Sequence, residues 1–314
     1  MVETHVLPGR FEDPLLTANG ETRAQVAYRG TKTLWFNTGT LCNIECVNCY
    51  IESSPRNDQL VYLTRADIMP YLDELSAAGE GACEIGFTGG EPFMAPEILD
   101  ILEETLARGH TVLVLTNAMR PMLRPRIKGG LMQLNAHFGS RLTLRVSLDH
   151  FTAEKHDEER GPEAFDEAIK GLTWLSENAF TVALAGRTLW QEEDAVARAG
   201  YAKLIERLAL PLDPNDPKQL VLFPEMKSGG EPPEITTACW DILNVSPDSQ
   251  MCASQRMVVR RKGEAQAAVV ACTLLPYDPQ FEMGQTLAQA RGSVALNHPY
   301  CASFCVLGGG SCSA

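Results

Sequence analysis

The 314-residue sequence predicts an α/β fold, a partial, TIM-like (β/α)6 barrel followed by a small cysteine-rich extension. Short apolar segments alternate with segments of helical period, which is typical of βα units and a parallel sheet. Polar groups follow each predicted strand, whereas an open doubly wound sheet would collect them at one point. Six cysteines lie beyond residue 228, where the alternation ends. These observations favour the barrel with an extension over an open sheet.

The six predicted strands are short apolar runs, and the third is a nearly continuous run of Val and Leu, typical of a strand buried on both faces. They cover residues 33–38, 83–88, 111–116, 142–148, 180–185 and 219–223. A helix is predicted from Thr64 to residue 79, because the Thr64 side chain can cap the backbone amides of a first turn. Further helices are predicted over residues 95–108, 163–177 and 191–208, with a short one over 285–291.

The composition changes around residue 228, where the segment 228–233 is rich in Gly and Pro and predicts a linker. Beyond it, residues 257–261 and 267–272 flank Lys262-Gly263-Glu264 and predict a β-hairpin. The predicted organisation is therefore a lead-in segment over residues 1–32, the barrel over 33–227 and the cysteine-rich extension over 228–314.

Composition and charge restrict the class of protein. An apolar content of 45% and a charged content of 21% are typical of a globular protein, and no apolar run is long enough to span a bilayer. The net charge of −13 argues against nucleic acid as the partner. Ten cysteines are many for a sequence whose start lacks the shape of a signal peptide, and they are grouped. Iron–sulfur or other metal ligation is therefore favoured over disulfides, and a cytoplasmic location is predicted.

Cys42, Cys46 and Cys49 follow the first predicted strand with the spacing C-x3-C-x2-C. Three thiols this close in sequence can bind one metal centre because closing the loops between them costs little entropy. A closed structural site needs four ligands, so this set would leave one iron of an iron–sulfur cluster open to a small molecule. The alternative is a zinc site lacking its fourth ligand, since the nearest further donor, His5, lies far upstream.

Gly89-Gly90-Glu91-Pro92 follows the second predicted strand. Alone this motif is an ordinary turn. Together with the preceding cysteine trio, it resembles the motif pair of the radical S-adenosylmethionine (radical SAM) superfamily. The resemblance covers residues 33–223 and implies a [4Fe-4S] cluster on the three cysteines, with SAM at its open iron. Gly89, Gly90 and Glu91 would hold the methionine amino group, and the glycines would let backbone atoms approach it closely.

The resemblance also implies that groups after the later strands hold the ribose and carboxylate of SAM. The candidates are Asn117, Ser147, Asp149 and Arg187, with Arg187 as a clamp for the carboxylate. Strand-end caps and a surface arginine are the alternative interpretation. Residues 156–161 also resemble a family segment, and they are interpreted first as the entry to a helix.

The sequence departs from the family pattern beside the third cysteine. Many members carry an aromatic residue immediately before it, near the adenine, whereas this chain has Asn48 before Cys49 and Tyr50 after it. The backbone of Asn48 can still contact the adenine, so Asn48 and Tyr50 complete the predicted SAM-binding set.

The C-terminal cysteines resemble the auxiliary-cluster extensions called SPASM or twitch domains. One auxiliary iron–sulfur cluster, of the [4Fe-4S] type, is expected, because six cysteines fall one short of a set for two. Cys252 and Cys272 are the first ligands, joined by two of Cys301, Cys305 and Cys312. A zinc knuckle is the alternative. Cys83 lies in a predicted core strand as an apolar filler, and Cys239 has no assigned role.

The resemblance implies reductive cleavage of SAM to a 5′-deoxyadenosyl radical, which abstracts hydrogen from a substrate in peptide, natural-product or cofactor maturation. The substrate is a peptide or a small molecule, and no catalytic residue is singled out. The lead-in of 32 residues is too short for a leader-binding domain, so a peptide substrate would need a separate recognition protein. A flavodoxin or ferredoxin would supply electrons and would dock on the basic cluster of Arg256 and residues 260–262.

Two rival functions are weighed against this one. The first is a non-catalytic iron–sulfur electron carrier or sensor, which would not need polar groups at six strand ends. The second is a radical SAM enzyme that transfers methyl groups, for which no extra cofactor-binding domain is recognised.

Overall fold

Residues 9–79, 81–225 and 231–312 are described by the structure, which is a computed structural model. Its strands are β1 (Gln25–Val26), β2 (Thr33–Asn37), β3 (Glu84–Thr88), β4 (Thr111–Thr116), β5 (Leu142–Ser147), β6 (Thr181–Arg187), β7 (Leu220–Phe223), β8 (Gln255–Val259), β9 (Ala268–Val270) and β10 (Val294–Ala295). Its α-helices are α1 (Arg65–Ala77), α2 (Ile98–Ala107), α3 (Pro125–Phe138), α4 (Ala153–Arg160), α5 (Ala164–Glu177), α6 (Asp194–Arg207) and α7 (Cys239–Leu243). A π-helix covers Cys301–Val306.

The central sheet has eight strands in the order β7-β6-β5-β4-β3-β2-β8-β9. Strands β2 to β7 are parallel and are joined by five helical crossovers, which confirms the predicted α/β fold. The predicted hairpin is also confirmed as β8 and β9, which pair antiparallel. It extends the same sheet, because β8 lies parallel to β2 with Trp35 opposite Met257.

Two hydrophobic cores lie on opposite faces of this sheet. Alternate residues of a strand point to opposite faces, so in β2 Leu34 and Phe36 pack with the helices while Trp35 faces the other way. Trp35 belongs to the core formed with the C-terminal segments, and its Nε1 donates to Gln255 Oε1 at 3.0 Å. The C-terminal segments therefore fill the sheet face that the helices leave uncovered.

Helix α3 was not predicted from the sequence. Two adjacent glycines in its interior, Gly129 and Gly130, lower its intrinsic helix propensity. Gly130 is explained by packing, since a Cβ there would come within 2.4 Å of Leu99 Cδ1 in α2. Residues 156–161, interpreted as a helix entry, lie largely inside α4.

The predicted lead-in packs against the C-terminal segments. β1 pairs antiparallel with β10, and the buried Arg23 forms an ion pair with Glu234 at 2.5 Å. The division into three domains stays a prediction. Of the residues used for it, the linker residues 228–230 and the strand-end residues 226–227 lie outside the described part of the chain, as does His5.

Candidate active site

A cavity lies beyond the carboxyl ends of the parallel strands, as expected for a barrel-type active face. Its empty volume is about 1100 Å³ with open solvent at its mouth included. Most of the predicted SAM-site residues line it: Cys42, Cys46, Asn48, Cys49, Tyr50, Gly89, Gly90, Asn117, Ser147, Asp149 and Arg187. Residues separated by up to 145 positions thus meet around one space.

The three cysteines lie on the loop after β2, where Cys42 is buried and the other two are half-buried. Burial raises the pKa of Cys42 to about 12 and that of Cys46 to about 11, so neither thiol ionises alone near neutral pH. A bound iron centre is the kind of charge that would hold them as thiolates, so the donor set fits an iron–sulfur cluster. In the described ranges, no three Cys, His, Asp or Glu residues are arranged to hold a single metal ion.

The glycines after β3 are needed for contact with the cysteine loop. Gly90 N donates to Gly39 O at 2.8 Å, and Glu91 N donates to Leu41 O at 3.2 Å. A Cβ at Gly90 would lie 2.1 Å from Leu41 O, and Gly89 has φ +133°, which side chains rarely adopt. The turn therefore positions the cysteine loop through its backbone, in addition to lining the cavity.

Glu91 was expected to contact the cofactor, but it is not among the residues that line the cavity. Its side chain is 1% exposed, and its carboxylate accepts from Thr116 Oγ1 at 2.9 Å and from Asn117 N at 2.9 Å. Burial raises the pKa of Glu91 to about 7 despite these donors. The geometry supports a positioning role in which Glu91 ties the β3 turn to the end of β4.

Asp149, at the end of β5, is bound by Arg160 of α4. Arg160 Nε and Nη2 donate to its two carboxylate oxygens at 2.6 and 2.9 Å. Burial favours the neutral acid, but the guanidinium outweighs it and holds the pKa of Asp149 below its usual value. Arg160 also lines the cavity, so this unpredicted residue brings a permanent positive charge to the site.

Glu159 links the cysteine loop to the end of β6. Its carboxylate accepts from Asn48 N and from Arg187 Nη1, each at 2.8 Å, through Oε1, and from Asn48 Nδ2 at 2.8 Å through Oε2. Asn48, which stands where the family pattern has an aromatic residue, is thus an anchor for the loop. Arg187 is already paired with Glu159, and its action as a carboxylate clamp stays a prediction.

Sequence reasoning did not assign Glu159 and Arg160 to the site. The sequence signal for these two residues was the resemblance of residues 156–161 to a family segment. Interpreting that segment as the entry to a helix left the signal unused. Asn117, which was predicted, is oriented by donating from Nδ2 to Asn43 Oδ1 at 2.9 Å.

Five cysteines of the C-terminal segments lie in the core on the sheet face opposite the helices. Cys252, Cys272, Cys301 and Cys305 all lie within electrostatic range of one another. Cys312 lies in range of two of them and also lines the cavity. Cys239 stands apart, with its sulfur near Thr236 N at 3.4 Å. Cys83 is buried in the core between sheet and helices, where its position fits the expected apolar filler.

The basic cluster expected to dock an electron donor is not one exposed patch, because Arg256 is buried and the other members form ion pairs. Arg256 is 2% exposed and donates to Cys252 O at 2.6 Å and to Ala290 O at 2.8 Å. Arg260 is paired with Asp67 at 2.9 Å, and Lys262 with Asp58 at 2.6 Å. Residues 260–262 seemed basic only because their acidic partners are distant in sequence.

Arg256 bears on what the C-terminal cysteines bind. In the described part of the chain its guanidinium contacts carbonyl oxygens and no carboxylate, although a buried charge is costly unless it is compensated. Thiolates of a cluster held by Cys252 would supply the missing negative charge. The donor set therefore fits an anionic iron–sulfur cluster.

The family model described as the radical SAM superfamily matches residues 36–195. This match includes the cysteine loop, the glycine turn and the ends of β2 to β6 around the cavity. The chain belongs to the radical SAM superfamily, a superfamily of enzymes.

Curated relatives include the antilisterial bacteriocin subtilosin biosynthesis protein AlbA of Bacillus subtilis, which is 30% identical over 158 residues, 49% of this chain and 33% of AlbA. Another is the mycofactocin maturase MftC of Mycobacterium tuberculosis, which is 28% identical over 207 residues, 60% of this chain and 50% of MftC. The chain thus spans a third to a half of these relatives.

Solved structures share the fold. Streptococcus suis SuiB bound to S-adenosylmethionine aligns with a TM-score of 0.58 at 13% identity, over 81% of this chain and 63% of SuiB. The anSMEcpe structure with bound AdoMet aligns with a TM-score of 0.57 at 13% identity, over 82% of this chain and 76% of that chain. Within the described residues, no helix combines the length and the apolar character needed to cross a membrane.

Proposed function

We propose that this protein reductively cleaves SAM to a 5′-deoxyadenosyl radical and uses it to abstract hydrogen from a substrate. The observation that carries the proposal is the meeting of Cys42, Cys46 and Cys49 with the Gly89-Gly90 turn around one cavity at the strand ends. This combination is the one that the family resemblance predicts. When bound, a [4Fe-4S] cluster on these cysteines would supply the electron for the cleavage.

The chain's own residues orient the cosubstrate and shape the cavity. Ser147 and Asn117 offer hydrogen-bonding groups, and Arg160 and Arg187 offer positive charge toward the carboxylate of SAM. Glu91 contributes indirectly by holding Asn117 in place. Tyr50 and Leu274 contribute to a wall that encloses the space where the radical would form.

An auxiliary cluster is the second part of the proposal. Cys252 and Cys272 would bind it with two of Cys301, Cys305 and Cys312, and the uncompensated Arg256 beside Cys252 supports an anionic group there.

The proposed substrate is a peptide or another natural product. The names of the relatives describe a bacteriocin biosynthesis protein and a mycofactocin maturase, and both belong to natural-product maturation. A flavodoxin or ferredoxin stays the proposed electron donor, with no docking site assigned. The electron-carrier alternative is not favoured, because the chain belongs to a superfamily of enzymes and an electron carrier would not need a cavity at the strand ends.

The test is anaerobic reconstitution with iron and sulfide, followed by SAM and dithionite, with 5′-deoxyadenosine measured by mass spectrometry. We expect deoxyadenosine from the wild type and none from a variant with Cys42, Cys46 and Cys49 all changed to Ala. The matched control is Cys239→Ala, which removes a thiol outside both groups and should leave deoxyadenosine unchanged. Wild-type protein that carries its full iron and forms no deoxyadenosine would contradict the proposal.

A further inference from the structure

Cys312 differs from the other C-terminal cysteines because it shares the cavity of Cys42, Cys46 and Cys49. Three contacts hold its position. Its N–H donates to Met251 Sδ at 3.1 Å, its carbonyl accepts from Arg145 Nη1 at 2.7 Å, and its sulfur lies 3.1 Å from Thr273 Oγ1. Arg145 lies on β5 and is 3% exposed, so the C-terminal segment reaches between the sheet and the cavity.

The remaining four cysteines form a complete set without Cys312. A cubane cluster places its four sulfur ligands at the corners of a tetrahedron, so every pair of ligands must be close. Cys252, Cys272, Cys301 and Cys305 lie near enough for charge interactions between every pair, and none of the four lines the cavity around Cys42, Cys46 and Cys49. Cys312 has charge interactions with Cys272 and Cys305 as well, and its place in the cavity lining distinguishes it from the four.

From this geometry we infer that Cys301 and Cys305 complete the auxiliary ligand set and that Cys312 is a free thiol that donates hydrogen to a carbon radical in the cavity. The inference rests on the proposed function, because that function supplies the radical. Cys312 would then touch the reacting atoms, which makes it a catalytic residue.

The step balances with one electron and one proton. The S–H bond of Cys312 breaks homolytically, a C–H bond forms on the radical carbon, and a thiyl radical is left on Cys312. A thiol S–H bond is weaker than an ordinary C–H bond, so the transfer runs downhill. A one-electron reductant and a proton from water then restore the thiol. Such a step ends a reaction without net oxidation of the substrate.

The first test is iron content in the background that lacks Cys42, Cys46 and Cys49, where only auxiliary iron remains. We expect Cys312→Ala to retain the iron of this background and Cys305→Ala to lose most of it. Loss of iron in Cys312→Ala, with a circular dichroism spectrum like that of its parent, would overturn the ligand assignment.

The second test uses SAM and dithionite in D2O without added substrate, where Cys312 carries an S–D bond. Deuterium transfer to the 5′-carbon should enrich the deoxyadenosine, and dithionite would reduce the thiyl radical. We expect the deuterated fraction to fall several-fold in Cys312→Ala and to stay unchanged in Cys239→Ala.

The outcomes separate the two proposals. Deoxyadenosine with an unchanged deuterated fraction in Cys312→Ala would overturn the hydrogen-donor role and leave the proposed function standing. No deoxyadenosine from any variant would contradict the proposed function and the donor role together. The iron counts would still decide whether Cys312 is a ligand.

Discussion

Glu159 shows how much of the site depends on one carboxylate that touches no predicted cofactor. It is 3% exposed and accepts hydrogen bonds from Asn48 on the cysteine loop and from Arg187 on β6. Since these donors come from segments about 140 residues apart, its removal frees both the loop and a guanidinium.

Changing Glu159 to Gln should lower the free energy of unfolding of the metal-free protein by roughly 1–3 kcal/mol, because an amide NH2 would face the partly buried donors of Asn48 or Arg187. Urea unfolding measures this. The matched control is Glu158→Gln, whose exposed carboxylate accepts only from Trp190 Nε1 at 3.2 Å within the described residues and should change stability by less than about 0.5 kcal/mol. Equal midpoints for the two variants would show that the Glu159 contacts carry no net stability.

Gly90 is the second position where one atom decides the geometry. A methyl group there would lie 2.1 Å from Leu41 O, so Gly90→Ala must displace the cysteine loop. We expect iron bound after reconstitution to fall by the content of one cluster. Gly129→Ala is the control, because a Cβ there meets nothing within 4 Å. Ala is also more stable than Gly in a helix interior, by about 0.5–1 kcal/mol. Full iron in Gly90→Ala would contradict the packing argument.

At the scale of elements, helix α4 joins the strand ends to the cysteine loop. The last two residues of α4, Glu159 and Arg160, bind Asp149, Asn48 and Arg187. The helix also contains the buried His156, whose Nδ1 accepts a hydrogen bond from the backbone N–H of Asp149 at 3.1 Å. Burial lowers the pKa of His156 to about 4, so the folded protein keeps this ring neutral where an unfolded chain would protonate it.

The sign of the pH effect follows from this lowered pKa. Below about pH 6.5 the unfolded state binds a proton that the folded state does not. The free energy of unfolding therefore decreases as the pH is lowered from about 6.5 to about 4. Over this window His156 contributes a loss of roughly 3 kcal/mol. In His156→Gln the slope of unfolding free energy against pH should be shallower there than in the wild type, as measured by urea unfolding at several pH values. Parallel slopes would contradict a buried neutral ring.

At the scale of the whole molecule, the C-terminal segments and the sheet form one unit around two groups of cysteines. β8 pairs with β2, Trp35 bonds to Gln255, and Arg145 of β5 holds the Cys312 carbonyl. Within this unit Arg256 has no carboxylate partner in the described residues, so its charge is best compensated when thiolates are present.

Arg256→Met should therefore lower the auxiliary iron content, because it removes the buried positive charge beside Cys252. Iron is counted in the background that lacks Cys42, Cys46 and Cys49. Arg29→Met is the control, since that exposed arginine pairs with Asp248 at 2.8 Å at the surface and should leave the iron unchanged. Unaltered iron in Arg256→Met would show that the cluster needs no such compensation.

The sequence by itself determined the features that local patterns encode. Apolar runs and helical periods located β2 to β7 and most helices, and cysteine spacing with the glycine turn located one wall of the cavity. Each depends on residues close in sequence, whose geometry follows from backbone periodicity and short loops.

Only the tertiary structure decided which distant residues meet. It turned Glu91 toward Asn117, buried Arg256, recruited Glu159 and Arg160, and brought Cys312 into the cavity. These outcomes depend on packing between segments up to about 270 residues apart, as in the pairing of β1 with β10. Long-range packing leaves no periodic signal in the sequence, because a buried partner can come from any segment that satisfies the same charge and shape.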